Sequence, residues 1–195
     1  MKLIDPIKNY LMDKNYVYEI DTTSNNKYSS ISLIIRDIED DIELLFIKRA
    51  KRKGDHFSGH MAFPGGVKEK YDKDLFQTAL RETDEEVGIN LKKDAEYLGN
   101  LEQYKPVNPA ANKFLVSPFI FYLKKNNIKL TLNSDEVDDI VWVPFNILIS
   151  MLDKSPRTSV KYDKPYKDYT FEYKGYKIWG MTGKILYRFL TNIYR

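Results

Sequence analysis

The chain has 195 residues, of which 43% are hydrophobic and 30% charged, and a net charge of +3. Such a composition belongs to a folded chain of about one domain's length rather than a disordered one. No apolar run approaches the roughly 18–20 residues that span a bilayer, cysteine is absent, and the excess of positive charge is too small to point to nucleic acid. Disulfides, thiolate metal sites and cysteine nucleophiles are thereby excluded, so a metal ion here has only oxygen ligands or the two histidines, His56 and His60, to use.

In chain order, residues 3–13 predict a short amphipathic helix opened by Asp5-Pro6, with Ile7, Tyr10 and Leu11 facing inward. Charges interrupt this stretch and no small-residue cleavage site follows, so it does not read as a secretory signal. A cytoplasmic location is the expectation. Residues 19–29 read as loop. Ser30–Arg36 and Ile42–Arg49 read as strands joined by the acidic turn 38–41. Residues 50–60 are basic and glycine-punctuated, a loop, and Met61–Phe63 is a short strand stopped by Pro64-Gly65-Gly66. A helix then begins at Asp72 or Asp74; Asp74 with Gln77 fits a capping box. Gly88 ends it. Tyr97–Tyr104, Phe114–Leu123, Ile128–Leu132 and Val137–Val143 read as strands, and Pro144 opens a short helix to about Leu152. Residues 153–168 read as a long polar loop. Tyr169–Tyr173 and Tyr176–Trp179 read as a hairpin around Lys174-Gly175, and Thr182 caps a last amphipathic helix carrying Ile185, Leu186, Phe189, Leu190 and Ile193. Neither a repeat nor a linker divides the chain. A single domain over 1–195 is expected, of class α+β or a layered α/β/α arrangement.

The chemistry concentrates on the helix that Gly88 ends. At about 100° per residue, with Glu82 at zero, Glu86 falls near 40° and Glu85 near 300°. An adjoining stripe of Phe76, Ala79, Leu80, Thr83 and Val87 packs inward, and Arg81 lies beside Glu85, where it can orient a carboxylate. Crowded like charges disfavour an isolated helix by about 0.2–0.5 kcal/mol per pair. Two readings fit. One is a surface helix laced with salt bridges; the other is a hard-cation site for Mg²⁺ or Mn²⁺, whose phosphate-neutralising chemistry suits hydrolysis of phosphate esters or diphosphates.

The run Arg81-Glu82-Thr83-Asp84-Glu85-Glu86-Val87-Gly88-Ile89 resembles the second half of the Nudix box, with Thr83 at a usually apolar position. The box as a whole covers residues 63–89, after an N-terminal helix and loop over 1–29. In its first half Gly66 sits one residue farther from Arg81 than the general pattern, and Asp72 stands for the usual Glu. That variant resembles the coenzyme A diphosphatase branch, as do Gly65, Gly66, Glu69, Thr78, Ala79 and Leu80. Leu44-Leu45 to Lys48-Arg49, Gly59 to Gly66, Glu136-Val137, Val143-Pro144 and Ile178-Trp179-Gly180-Met181-Thr182 extend the likeness over roughly 30–190. Asp55, Phe57 and His60 depart from that branch's pattern upstream of the box. The resemblance implies a Nudix-type α/β/α sandwich with a mixed sheet between helices. It implies Mg²⁺- or Mn²⁺-dependent hydrolysis of a diphosphate bond in a small nucleotide substrate, coenzyme A-like by preference, with ADP-ribose, dinucleoside polyphosphates or nucleoside triphosphates as the alternatives. Glu82, Glu85, Glu86 and the Gly66 carbonyl are the implied metal ligands, Glu85 and Glu136 the candidate bases, and Arg81 the residue that orients carboxylates. Arg49, His60 and Phe63 are the expected substrate contacts. The resemblance allows a homodimer; membrane attachment and nucleic-acid binding are not expected. Rivals from other classes are a catalytically silent nucleotide sensor and a protein that processes RNA 5′ ends through its basic loops.

Four further features have two readings each. Glu136 is a base or a surface carboxylate in an acidic run. His56 and His60, four apart in a loop, read as solvated or substrate-facing rather than as a metal pair. The basic run Lys48 to Lys53 is a solvated loop or an attraction for phosphates. Lys161 to Tyr169 interleaves basic and aromatic residues, which suits RNA contact but reads better as a polar loop. Trp142 and Trp179 are expected in the core.

Overall fold

The computed structural model describes residues 3–14, 16–54, 57–106, 111–161 and 164–194. Helix α1 (Asp5–Met12) buries Ile7 and Leu11. Strands β1 (Lys27–Ile38) and β2 (Asp41–Arg49) form a hairpin in which Ile38 pairs with Asp41. Their side chains alternate between two cores. Leu33, Ile35, Ile42, Leu44 and Phe46 enter one, while Ile34, Leu45 and Ile47 enter the other. Burial on both faces is why these strands read as nearly continuous apolar runs.

The sheet adds β3 (Met61–Ala62), β4 (Gly65–Val67), β5 (Ala95–Asn100), β6 (Phe114–Leu123) and β7 (Val137–Pro144). Along one edge β1 pairs in parallel with β6, from Lys27 opposite Phe114 to Ile35 opposite Tyr122. Its other edge is divided. Residues 29–31 pair with β4, and 35–38 pair with β2. At the fork the Ser32 N–H donates to the Pro64 carbonyl at 2.8 Å. The Pro-Gly-Gly turn thus enters the sheet at its middle. Beyond the fork, β2 carries β7 on its far side and β3 near its end.

Helices cover both faces. Leu75, Ala79 and Val87 of α2 (Leu75–Val87) and Leu91 of α3 (Leu91–Asp94) fill one core. Helix α1, with α4 (Phe145–Ser150) and α5 (Gly180–Tyr194), fills the other. The expected α+β class, an α/β/α sandwich around a mixed sheet, is what the chain forms. Two hairpins stand outside the sheet: β8 (Arg157–Lys161) with β9 (Lys164–Asp168), and β10 (Phe171–Tyr173) with β11 (Tyr176–Ile178). Among the described residues, no helix is long and apolar enough to cross a membrane.

A buried polar seam ties α2 to β1. The Ser30 hydroxyl donates to the Leu75 carbonyl at 2.6 Å, Ser32 to the Ala79 carbonyl at 3.4 Å, and the Thr83 hydroxyl to Ser32 at 2.9 Å. A hydroxyl at position 83 is therefore tolerated in the core because Ser32 receives it.

Several expectations need correction. Residues 128–132 are not a strand. The Thr131 and Asn133 N–H groups donate instead to the Val87 and Glu86 carbonyls, the open acceptors at the end of α2. The strand expected at Tyr97–Tyr104 is Ala95–Asn100, with Tyr104 making an isolated bridge to Val116. The loop expected over 153–168 is a short 3₁₀ turn followed by the β8–β9 hairpin, whose polar composition gave no strand signal. Lys27 already belongs to β1, Asp74 alone caps α2, and α5 begins at Gly180 rather than behind Thr182.

If the seam is cooperative, Thr83→Val and Ser32→Ala each lower the urea-unfolding free energy by about 1 kcal/mol. The double variant is expected to lose less than the sum of the two.

Candidate active site

Helix α2 starts with the Asp74 side chain accepting the Gln77 N–H at 2.8 Å and stops at Gly88 in the left-handed region. With its apolar stripe packed on the sheet, the opposite edge carries Arg81, Glu82, Glu85 and Glu86. The glycine turn lies against this edge. The Gly65 N–H donates to Glu86 at 2.7 Å. A Cβ on Gly65, at φ 150°, would fall 2.1 Å from the Ser30 carbonyl oxygen, and one on Gly66 would fall 2.4 Å from the Glu82 carboxylate. Only glycine lets turn and carboxylate come this close.

Oxygen atoms of Glu82, Glu86 and Glu136 lie within 4.8 Å of one another. Glu136, just before β7, arrives from across the sheet, where its carbonyl accepts the Ala50 N–H at 2.8 Å and its carboxylate pairs with Arg52 at 3.1 Å. Burial pushes the Glu86 carboxyl up to about 8; the neighbouring charges of Glu82 and Glu136 add to the rise, while the Gly65 N–H and Arg49 oppose it. Burial also raises Glu82, against the pull of Arg81. An oxygen-only donor set with Glu86 buried at its centre, in which Glu82 and Glu86 resist ionisation on their own, suits a hard divalent cation.

Arg81 is the strut of this edge. It donates to both oxygens of Asp72, at 3.0 and 2.9 Å, to Glu85 at 2.8 Å and to the Val67 carbonyl at 3.1 Å, and it pairs with Glu82 at 2.8 Å. Asp72 is itself buried. The Arg81 guanidinium, helped by the Glu69 N–H and the Thr78 hydroxyl, holds its carboxyl down at about 2 despite burial. So Asp72 anchors Arg81, and Arg81 in turn aims Glu82 and Glu85.

A cavity of about 700 Å³ opens beside Gly65, Gly66 and Val67. Arg49, His60 and Phe63, the expected substrate contacts, all line it. Phe63 is nevertheless 3% exposed, its ring 4.9 Å from Phe46, so it serves the core as well. The sequence-predicted groups are thus brought together in part. Glu82 and Glu86 meet with Glu136. Glu85, expected among the ligands, stands outside that cluster with its side chain 49% exposed against Arg81. His56 and Asp55 lie outside the described residues. Trp179, expected in the core, is 36% exposed and lines the cavity; the likeness of residues 178–182 to the family pattern marked its position but not its side of the strand. Lys105 and Lys184 line the same cavity and carried no signal, being single lysines in a lysine-rich chain.

A family model described as NUDIX domain matches residues 27–164. The chain therefore belongs to the Nudix family. It is accordingly a hydrolase that acts on diphosphate bonds, in a family whose enzymes generally use divalent metal ions. A peroxisomal coenzyme A diphosphatase of Mus musculus, NUDT7, is 30% identical over 190 residues, which cover 94% of this chain and 77% of that one. The uncharacterized protein C14C4.10c of Schizosaccharomyces pombe is 40% identical over 110 residues, covering 54% of this chain and 33% of that longer protein. Among solved structures, a MutT/nudix family protein from Enterococcus faecalis superposes with a TM-score of 0.57 at 16% identity, over 99% of this chain and 70% of that one.

Because an unfolded chain ionises Glu86 near 4.5 and the folded one holds its proton to about 8, unfolding releases a proton between these values. Stability of the metal-free protein falls as pH rises from about 4.5 to 8. Glu86→Gln, which has no charge to bury, is expected to raise the Tm of metal-free protein at pH 8 by about 2 °C or more, read by scanning calorimetry in chelator. A lower Tm would contradict the burial argument.

Proposed function

We propose that this enzyme cleaves the diphosphate bond of a nucleoside diphosphate derivative of the coenzyme A type, using Mg²⁺ or Mn²⁺. The observation that carries the reading is the Glu82–Glu86–Glu136 cluster beside a cavity large enough for a nucleotide. The coenzyme A preference is supported by the 30% identity to a coenzyme A diphosphatase along nearly the whole chain, and by the extra residue and aspartate of the box.

Glu82 and Glu86 hold the cation, Glu136 completes the set, and the Gly66 carbonyl is a further oxygen at the same turn. Bound there, the cation supplies charge to phosphate oxygens and lowers the pKa of a water molecule. The chain's own groups do the rest. Arg49 lines the cavity and brings positive charge toward the substrate diphosphate. Arg81, locked by Asp72, fixes the Glu82 carboxylate. Glu85 stands half-exposed outside the cluster and is the group left to take a proton from the attacking water, since Glu136, the other expected base, is taken up in the cation set. Ile31, Met61, Ala62 and Val116 give the cavity apolar wall for the rest of the substrate to pack on.

The test is a panel of coenzyme A, ADP-ribose, NADH, dinucleoside polyphosphates and nucleoside triphosphates, each with Mg²⁺ and with Mn²⁺. Coenzyme A is expected to give the highest kcat/KM and two phosphomonoester products. A higher value for ADP-ribose would move the substrate assignment, and no turnover of any compound would remove the proposal. Glu86→Gln is expected to bring turnover down to background while circular dichroism stays unchanged.

A further inference from the structure

Trp179 follows β11 directly. Ile178 beside it is fully buried, and strand alternation turns the next side chain outward. The hairpin packs near β3, which brings the indole to His60 with ring centroids 4.8 Å apart and a tilt of 57°. The indole is nevertheless 36% exposed and keeps part of its surface open to the cavity. Phe57 also meets His60, edge to face with ring centroids 6.1 Å apart, and is itself 39% exposed. A large aromatic surface is therefore held rigid at the cavity rim instead of being folded into either core.

Lys184, one helical turn into α5, lines the same cavity. It stands between Gly183 and Ile185, both buried, and is itself half-buried. Burial, and then the Arg188 charge, hold its ammonium below the ordinary lysine pKa, against the pull of Glu102. A cation partly stripped of water gains more from an anionic partner than an exposed one does.

Resting on the diphosphatase reading above, we propose that Trp179 and Lys184 form the subsite for the base-bearing half of the substrate. A flat heterocycle stacks on Trp179, and an additional anionic group on the sugar pairs with Lys184. The glycine turn, which also lines the cavity, leads to the carboxylate cluster, so base and diphosphate are recognised by different elements. Specificity within the family reaction then depends on the β11–α5 junction, outside the box.

Calorimetric titration with Mg²⁺ present separates the two contacts. The probes are ribose 5-phosphate, adenosine 5′-monophosphate and adenosine 3′,5′-bisphosphate. Wild-type protein is expected to prefer the monophosphate to the sugar phosphate by about tenfold or more, and the bisphosphate to the monophosphate. Trp179→Ala erases the first preference and Trp179→Phe keeps part of it, which guards against loss of fold in the alanine variant. Lys184→Gln erases the second preference and leaves monophosphate binding unchanged. The proposal is overturned by equal binding of all three probes to wild type, by an undiminished monophosphate preference in Trp179→Ala, or by a retained bisphosphate preference in Lys184→Gln. Turnover is not part of this readout, so an inactive protein that still shows these preferences would count against the catalytic reading alone.

Discussion

Charge repulsion among Glu82, Glu86 and Glu136 is the constraint around which this fold is arranged. Carboxylates whose oxygens lie within 4.8 Å of one another, one of them nearly inaccessible to water, oppose folding when all are ionised. Every nearby feature bears on that problem. Gly65 gives Glu86 an N–H donor, Gly66 leaves room for the Glu82 carboxylate, and Arg81 supplies a fixed counter-charge. Arg52 holds Glu136 at the rim. These groups lessen the repulsion without removing it: burial does most to raise the Glu86 carboxyl, and the charges of Glu82 and Glu136 still add to the rise. Under the proposed function, a divalent cation held by these carboxylates would offset the remainder.

The sheet exists in the form that presents this cluster. β1 divides its edge between β4 and β2, and the glycine turn enters at the division. The hydroxyls of Ser30, Ser32 and Thr83 then fix α2 at one height on β1. A shift of α2 by one turn would move Glu82 and Glu86 about 5.4 Å and separate them from both Glu136 and the turn. Asp72 contributes from the loop before α2: its two bonds to Arg81 make the guanidinium a fixed strut.

Much of this was legible in the chain. Helical spacing put Glu82 and Glu86 on one edge, Asp74 and Gly88 marked the helix ends, and nearly continuous apolar runs around an acidic turn gave β1 and β2. Glu136 was visible as a candidate base but not as a member of the carboxylate cluster, because the partners that decide its place, Ala50 and Arg52, are more than eighty residues away in sequence. Glu85 looked equivalent to its neighbours on the helical wheel; its pairing with Arg81 set it apart. Trp179 was expected in the core, whereas the buried Ile178 beside it had already taken the inward position. Residues 128–132 had strand composition but met open carbonyls at the end of α2 before they met a strand edge.

The central claim is that a divalent cation is held by Glu82, Glu86 and Glu136 and not by Glu85. Electron paramagnetic resonance of Mn²⁺ titrated into single Gln variants tests it without reference to any substrate. The account predicts that Glu82→Gln and Glu136→Gln weaken Mn²⁺ binding by about tenfold or more, as loss of one carboxylate from a site of this kind should, and that Glu85→Gln binds like wild type. Wild-type affinity in Glu136→Gln together with loss of binding in Glu85→Gln would contradict it.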